Sequence, residues 1–245
     1  MQLALALASR FSQGERIIVW APNIPEWLLI EYACALAGLV LVTANPSYQD
    51  KELRYVLEQS GSVALFLVKN YRGNPMHEIA LKAIEDLAAV REIVDVDDHA
   101  ALFRTGDRAS VLPDVYPNDP AQIQYTSGTT GFPKGAVLAH RSLTNNARFY
   151  ASRALATPDS TWANFMPMFH TSGCGMISLG CLQFGCKMML FKLFDPAAIL
   201  RIIESERITG FLGVPTMLVA LLESLSLESA DVSSVEMVVS GGAMV

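Results

Sequence analysis

Short apolar runs alternate along this chain with segments whose apolar residues recur every three to four positions. The runs at 15–21, 39–43, 63–68 and 93–96 read as strands. Between them, 25–37, 49–59 and 77–90 carry helical periodicity; in the second, Leu53, Val56 and Leu57 share one face. Gly38 and Gly61 stand where two of these helices should stop. From 97 to 120 the pattern fades into Asp, Pro and Arg, which predicts a linker at 111–120. The linker divides a first α/β subdomain over 1–110 from a second over 121–245. In the second, strands are expected at 121–125, 135–139, 161–166, 187–191, 208–212 and 236–239. Helices are expected at 140–153, 171–183, 196–206 and 215–225. The alternation predicts an α/β fold of mainly parallel sheets flanked by helices on both faces.

Composition narrows the function. Hydrophobic residues make up 51% of the chain and charged residues 17%, ample for a core and rich for a free surface. The net charge of −6, with no Lys/Arg cluster, argues against a general nucleic-acid binder. The longest apolar run, 27–42, is interrupted by Glu31 and is too short for a membrane span, which needs ~20 residues. The apolar start, 1–8, lacks the basic residues of a signal peptide. Cys34, Cys174, Cys181 and Cys186 follow no common zinc spacing and read as buried free thiols, as in a reducing compartment. The expected location is the cytoplasm, or the mitochondrial matrix if a transit peptide precedes the chain.

The most informative stretch is Tyr-Thr-Ser-Gly-Thr-Thr-Gly-Phe-Pro-Lys-Gly at 125–135. Gly128, Gly131 and Gly135 let backbone N–H groups turn inward, and such a concavity is an anion cradle. Thr126, Ser127, Thr129 and Thr130 add hydroxyl donors, and Lys134 adds a point charge suited to phosphate. Apolar runs on either side make it a loop between two buried strands. The common phosphate loop needs Gly-Lys-Ser/Thr opening a helix, and Lys134 between Pro133 and Gly135 does not supply that. His170 is a second candidate, following a strand where ligands of open sheets bind.

The stretch at 125–135 resembles the phosphate loop of the adenylate-forming superfamily, and other segments agree in order along nearly the whole chain. They are Ala-Pro-Asn-Ile-Pro-Glu-Trp at 21–27, Met-Pro-Met-Phe-His at 166–170, Gly-Val-Pro-Thr at 213–216 and Ser-Gly-Gly-Ala at 240–243. The phosphate loop and the phrase at 71–76 are most similar to fatty-acyl-CoA synthetases. The resemblance implies that a carboxylic, fatty acid is joined to ATP as an acyl-adenylate and then passed to coenzyme A. An alternative is a non-catalytic nucleotide-binding fragment or degenerate relative.

Carried over residue by residue, the loop from Thr126 through Gly131, with Lys134, would hold the β- and γ-phosphates, and Thr130 would reach Mg2+. His170 would lie beside the acid's carboxylate and the α-phosphate, with Ser172 next to it. Gly241, Gly242 and Ala243 would face adenine, although Met244 stands where the family usually has proline. Val214, Pro215, Thr216 and the helix after His170 would wall the acyl pocket. Gly173, Gly175 and Gly180 on that helix either leave room for an alkyl chain or serve close helix packing. His140 and Arg141 read as helix-start residues, and His77 and His99 as solvated. The family's Tyr-Gly-x-Thr-Glu segment, ribose aspartate and C-terminal domain are not in these 245 residues, so the chain reads as an internal fragment, inactive alone. The expected partners are a small carboxylic acid, ATP and CoA, with no nucleic acid and no membrane span; oligomeric state is left open.

Overall fold

The computed structural model describes residues 1–126 and 133–242. It contains two compact units, Met1–Ser142 and Leu143–Val245. The sequence places the divide at 111–120, but the chain crosses it to add β5 (Pro120–Thr126) and β6 (Lys134–Ala139) to the first sheet. The reason is non-local: β5 pairs in parallel with a strand some eighty residues earlier.

In the first unit, β1 (Arg16–Trp20), β2 (Val40–Thr43), β3 (Ser62–Leu67) and β4 (Glu92–Asp95) join β5 and β6 in the order β4-β3-β1-β2-β5-β6. All pairings are parallel except β5 with β6. The strands β1, β2 and β3 are buried nearly throughout, as sheets covered on both faces require. Helix α1 (Gln2–Arg10) packs on α2 (Pro25–Leu36), and α3 (Asp50–Ser60) on α4 (Met76–Ala83). Helix α2 starts with proline in its first turn, and α3 starts with a reciprocal Gln49–Glu52 capping box. Gly61, at φ 61°, supplies the left-handed residue that ends α3. Helix α4 stops at Ala83, well short of residue 90; a left-handed Asp86 at φ 63° follows in the turns before β4. A short α5 (His99–Leu102), capped by Asp98, occupies part of the 97–120 stretch in which the sequence pattern fades.

In the second unit, α6 (His140–Arg153) enters from the first and starts at His140, as expected. Four parallel strands follow: β7 (Thr161–Asn164), β8 (Lys187–Leu190), β9 (Gly210–Gly213) and β10 (Met237–Ser240), in the order β10-β9-β7-β8. Helices α7 (Leu179–Phe184), α8 (Pro196–Glu206) and α9 (Pro215–Leu222) connect them. One core cluster gathers Trp162, Met166, Ile177 and Leu212; another gathers Phe165, Ile199, Ile203 and Phe211. The regular helix expected over 171–183 is instead a π-helix, Ser172–Ser178, running into α7. The four cysteines are free thiols; Cys34, Cys174 and Cys181 are buried and Cys186 is half-buried rather than buried. Among the described residues, no helix is long and apolar enough to cross a membrane. The α/β fold of mostly parallel sheets and flanking helices is the one the alternation predicts.

Candidate nucleotide and acid site

Ser127, Gly128, Thr129, Thr130 and Gly131, the centre of the expected phosphate loop, lie outside the described residues, as does Ala243. The structure places both ends of the loop. Thr126 closes β5 and Lys134 opens β6, and the two are cross-strand partners in an antiparallel pair. At the exit, Tyr55 Oη donates to Pro133 O at 3.0 Å. Both flanking ends are thus held in place, the first at the carboxyl end of a parallel strand. Both Thr126 and Lys134 are exposed, and among the described residues Lys134 forms no ion pair. The strands are not both buried, however: β6, the sheet's edge strand, has no buried residue, half of its positions being exposed and the other half half-buried.

The remaining candidates sit at the carboxyl ends of three adjacent strands of the second sheet. His170 follows β7, Val214 follows β9, and Gly241 follows β10. Ser240 and Gly213 are in register, so the last two loops leave the sheet side by side. A Cβ added to Gly241 would meet nothing within 4 Å, and one added to Gly242 would reach Val214 Cγ1 at 3.4 Å. Gly242 also has φ 88°, a conformation that glycine takes without strain. This open, side-chain-free ledge suits the face of a planar base. Val214 and Pro215 are half-buried and Thr216 is exposed. An apolar cavity of about 270 Å³ in this unit is lined instead by Leu200, Phe211, Leu218, Leu221, Leu227 and Val235, and by none of the expected acyl-pocket residues.

His170 is exposed and held through its backbone and one ring nitrogen. Its N–H donates to Pro167 O, and its carbonyl accepts from Gly173 N at 3.0 Å and Cys174 N at 3.2 Å. The Ser172 N–H donates to His170 Nδ1 at 3.1 Å, and Ser172 Oγ stands 2.9 Å from the same nitrogen. A nitrogen that accepts an N–H carries a lone pair, so the ring proton sits on Nε2. Burial of part of the ring lowers its pKa. At neutral pH the side chain is therefore a neutral imidazole presenting an N–H donor. In ¹⁵N spectra, His170 is expected to titrate below the ordinary 6.5, with the neutral ring above that pKa in the Nε2–H tautomer. An Nδ1–H tautomer would contradict the Ser172 contact.

The turn holding His170 depends on a residue with no sequence signal beyond being polar in an apolar strand. Asn164 at the end of β7 is fully buried. Its Nδ2 donates to Gly173 O at 3.1 Å and to Ser178 Oγ at 3.2 Å, and Ser178 Oγ donates to Gly173 O at 2.8 Å. The glycines of this segment serve packing. A Cβ on Gly173 would stand 2.7 Å from Met166 O, and one on Gly180 would stand 3.2 Å from Ala151 Cβ of α6. Gly175 has only ordinary contacts, with Leu143 and Thr171. His99, expected to be solvated, is exposed but pairs with Glu26 Oε1 at 3.0 Å.

Comparison with known proteins sets this arrangement in a family. YngI of Bacillus subtilis (strain 168) is 32% identical over 249 residues, covering 91% of this chain and 45% of the relative. The mitochondrial medium-chain acyl-CoA ligase ACSF2 of Macaca fascicularis is 32% identical over 254 residues, covering 91% of this chain and 41% of the relative. The chain thus spans less than half the length of these relatives. The crystal structure of ATP-bound MatB from Rhodopseudomonas palustris superposes with a TM-score of 0.85 at 27% identity, over 99% of this chain and 48% of that one. The AMP-binding enzyme family matches residues 1–245 from end to end, and the chain belongs to it.

Proposed function

We propose that the protein carrying this chain activates a carboxylic acid, of the fatty class, with ATP and transfers the acyl group to coenzyme A. The carboxylate oxygen attacks the α-phosphorus and pyrophosphate leaves. The coenzyme A sulfur then attacks the acyl carbonyl carbon, its proton passes to solvent, and AMP leaves. Such chemistry depends mostly on positioning and on charge stabilisation where the leaving group departs. The observation that carries the reading is the pair of held ends, Thr126 and Lys134, the first at a parallel strand's carboxyl end and the second a lysine at the loop's exit. Lys134 would stabilise the departing pyrophosphate, with Thr126, Ser127, Gly128, Thr129, Thr130 and Gly131 around it. Mg2+, when bound, neutralises phosphate charge, and the hydroxyl of Thr130 is the chain's candidate ligand for it. His170, a neutral N–H donor, suits a carboxylate or phosphate oxygen, and Ser172 sets its ring. Gly241, Gly242 and Ala243 would receive adenine. Val214, Pro215 and Thr216 would line the acyl side. Free thiols in a chain of this family support a reducing compartment, the cytoplasm or the mitochondrial matrix.

The test is acid-dependent exchange of pyrophosphate into ATP across fatty, aryl and acetyl acids. Exchange driven best by an alkyl acid is expected; no exchange with any acid, under conditions where ATP binds, would overturn the reading. Lys134→Ala should slow adenylation on the order of a hundredfold. Thiolysis of isolated acyl-adenylate should be nearly unchanged, because pyrophosphate has already left. Equal losses in both half-reactions would remove Lys134 from this role.

A further inference from the structure

The first unit buries a carboxyl group that the proposed chemistry does not use. Glu31, on α2, is 4% exposed, and two glutamines of β5 are buried with it, Gln122 at 3% and Gln124 at 6%. Gln122 Nε2 donates to Glu31 Oε1 at 2.5 Å, and Gln124 Nε2 donates to Gln122 Oε1 at 3.0 Å. The three side chains form one hydrogen-bonded line from α2 along β5. That line ends two residues before Thr126, the last residue of β5.

We propose that Glu31 is a positioning residue that holds, through Gln122 and Gln124, the end of β5 from which the phosphate loop leaves. Strand geometry supports this. Gln122 and Gln124 face α2, whereas Tyr125, the next residue along the strand, faces the other way. A slip of one residue would exchange these faces. Yet β5 is paired with β2 through only Leu41↔Gln122 and Val42↔Ile123, and its other neighbour is the exposed edge strand β6. Buried apolar residues would be the cheaper filling for a parallel sheet. A connected polar line instead permits a single arrangement.

Protonation decides whether the line is sound. Burial pushes the Glu31 carboxyl up to about 8, against the opposing hydrogen bond from Gln122. Glu31 is therefore a neutral acid at pH 7. Its Oε2 is buried without a hydrogen-bond partner among the described residues, as are Trp27 Nε1, one turn earlier on α2, and Thr43 Oγ1. Among the described residues, no neighbour offers a counter-charge. Cys34, on α2 itself, has a thiol pushed far up by burial and by Glu31. Arg10 of α1 is engaged by Glu92 and by Leu102 O. Glu26 at the start of α2 pairs with His99, β2 carries no titratable residue, and Tyr125 lies on the opposite face. Ionised, Glu31 would be an unpaired buried charge, so the positioning is present below about pH 8 and is lost as the pH rises through it.

The test rests on the reading that the loop binds ATP, and it is arranged so that the two fail separately. The dissociation constant of ATP with Mg2+ is measured from pH 6 to 9.5 for the 245-residue chain and for Glu31→Gln and Glu31→Leu. Amide exchange of residues 122–126 is followed in parallel. The wild-type protein should lose roughly tenfold in affinity across pH 8, with lower protection of the β5 amides relative to their intrinsic, base-catalysed exchange rates. Glu31→Gln, a permanent mimic of the neutral acid, should keep the pH 7 affinity and show a flat profile. Glu31→Leu should bind more weakly at every pH, and if it does not fold, the Glu31→Gln comparison at pH 9 decides. A Glu31→Gln profile and exchange rates that track the wild-type protein through pH 9.5 would overturn the proposal. Absence of ATP binding by the wild-type protein at every pH would defeat the nucleotide reading. The exchange of residues 122–126 would then still decide the role of Glu31.

Discussion

Gly173→Ala is expected to destabilise the second unit by about 3 kcal/mol, the upper end for overpacking a well-filled site. Gly173 has an ordinary φ, so the reason is space rather than backbone conformation. A Cβ there would lie 2.7 Å from Met166 O and closer still to Pro167 O. Both obstacles are backbone carbonyls of the turn that carries His170, and neither can swing aside as a side-chain tip could. The Gly173 carbonyl is also the atom on which Asn164 Nδ2 and Ser178 Oγ converge. Moving it disturbs the π-helix and, through Ser172, the hydrogen bond that sets the His170 ring. Gly175→Ala is the matched control, since its nearest contacts are 3.6 Å from Leu143 Cδ2 and Thr171 Cβ. Thermal unfolding compares the two. Equal melting temperatures for Gly173→Ala and the wild-type protein would show that the turn relaxes freely, contrary to its packing.

Trp162→Ala is expected to cost about 3–5 kcal/mol, the range for removing a large buried aromatic side chain. Trp162 lies on β7 at 2% exposure and meets the Tyr150 ring edge-on, with centroids 5.7 Å apart. Two glycines make room for the indole. A Cβ on Gly210 of β9 would stand 3.1 Å from Nε1, and one on Gly180 of α7 would stand 3.8 Å from Cζ3. The indole therefore joins α6, α7 and β9 beneath the strand whose end bears Asn164 and the His170 turn. Denaturant unfolding measures the loss, and Trp162→Phe should recover part of it by filling some of the cavity. A cost under ~1 kcal/mol for the alanine variant would mean that the site collapses around the missing ring, and the packing account would fail.

Much of the candidate site was legible because its chemistry is written in local order. The phosphate stretch at 125–135 and the His170 segment are short runs whose composition needs no tertiary partner to be recognised. Elements with strong periodicity and clear ends, such as α3 with its capping box and Gly61, or α8 between Asp195 and Glu206, were legible for the same reason. Helix α4 was overread because apolar spacing continues past Ala83, while the chain turns away through a left-handed Asp86.

What the sequence by itself determined is the alternation of strands and helices, the mainly parallel α/β class, and the order of motifs that marks the AMP-binding family. Those depend on period, punctuation and residue order, all local properties of the chain. Only the tertiary structure decided that β5 joins the first sheet, because that pairing is made with β2 from far upstream. It alone decided that β6 is an exposed edge, and that the segment after His170 winds as a π-helix tied to a buried Asn164. Glu31 shows the difference most plainly. Along the chain it is one charge interrupting an apolar run; in the fold, burial against Gln122 turns it into a neutral acid. Burial and partnership across ninety residues are properties of the packed molecule, and no window of sequence contains them.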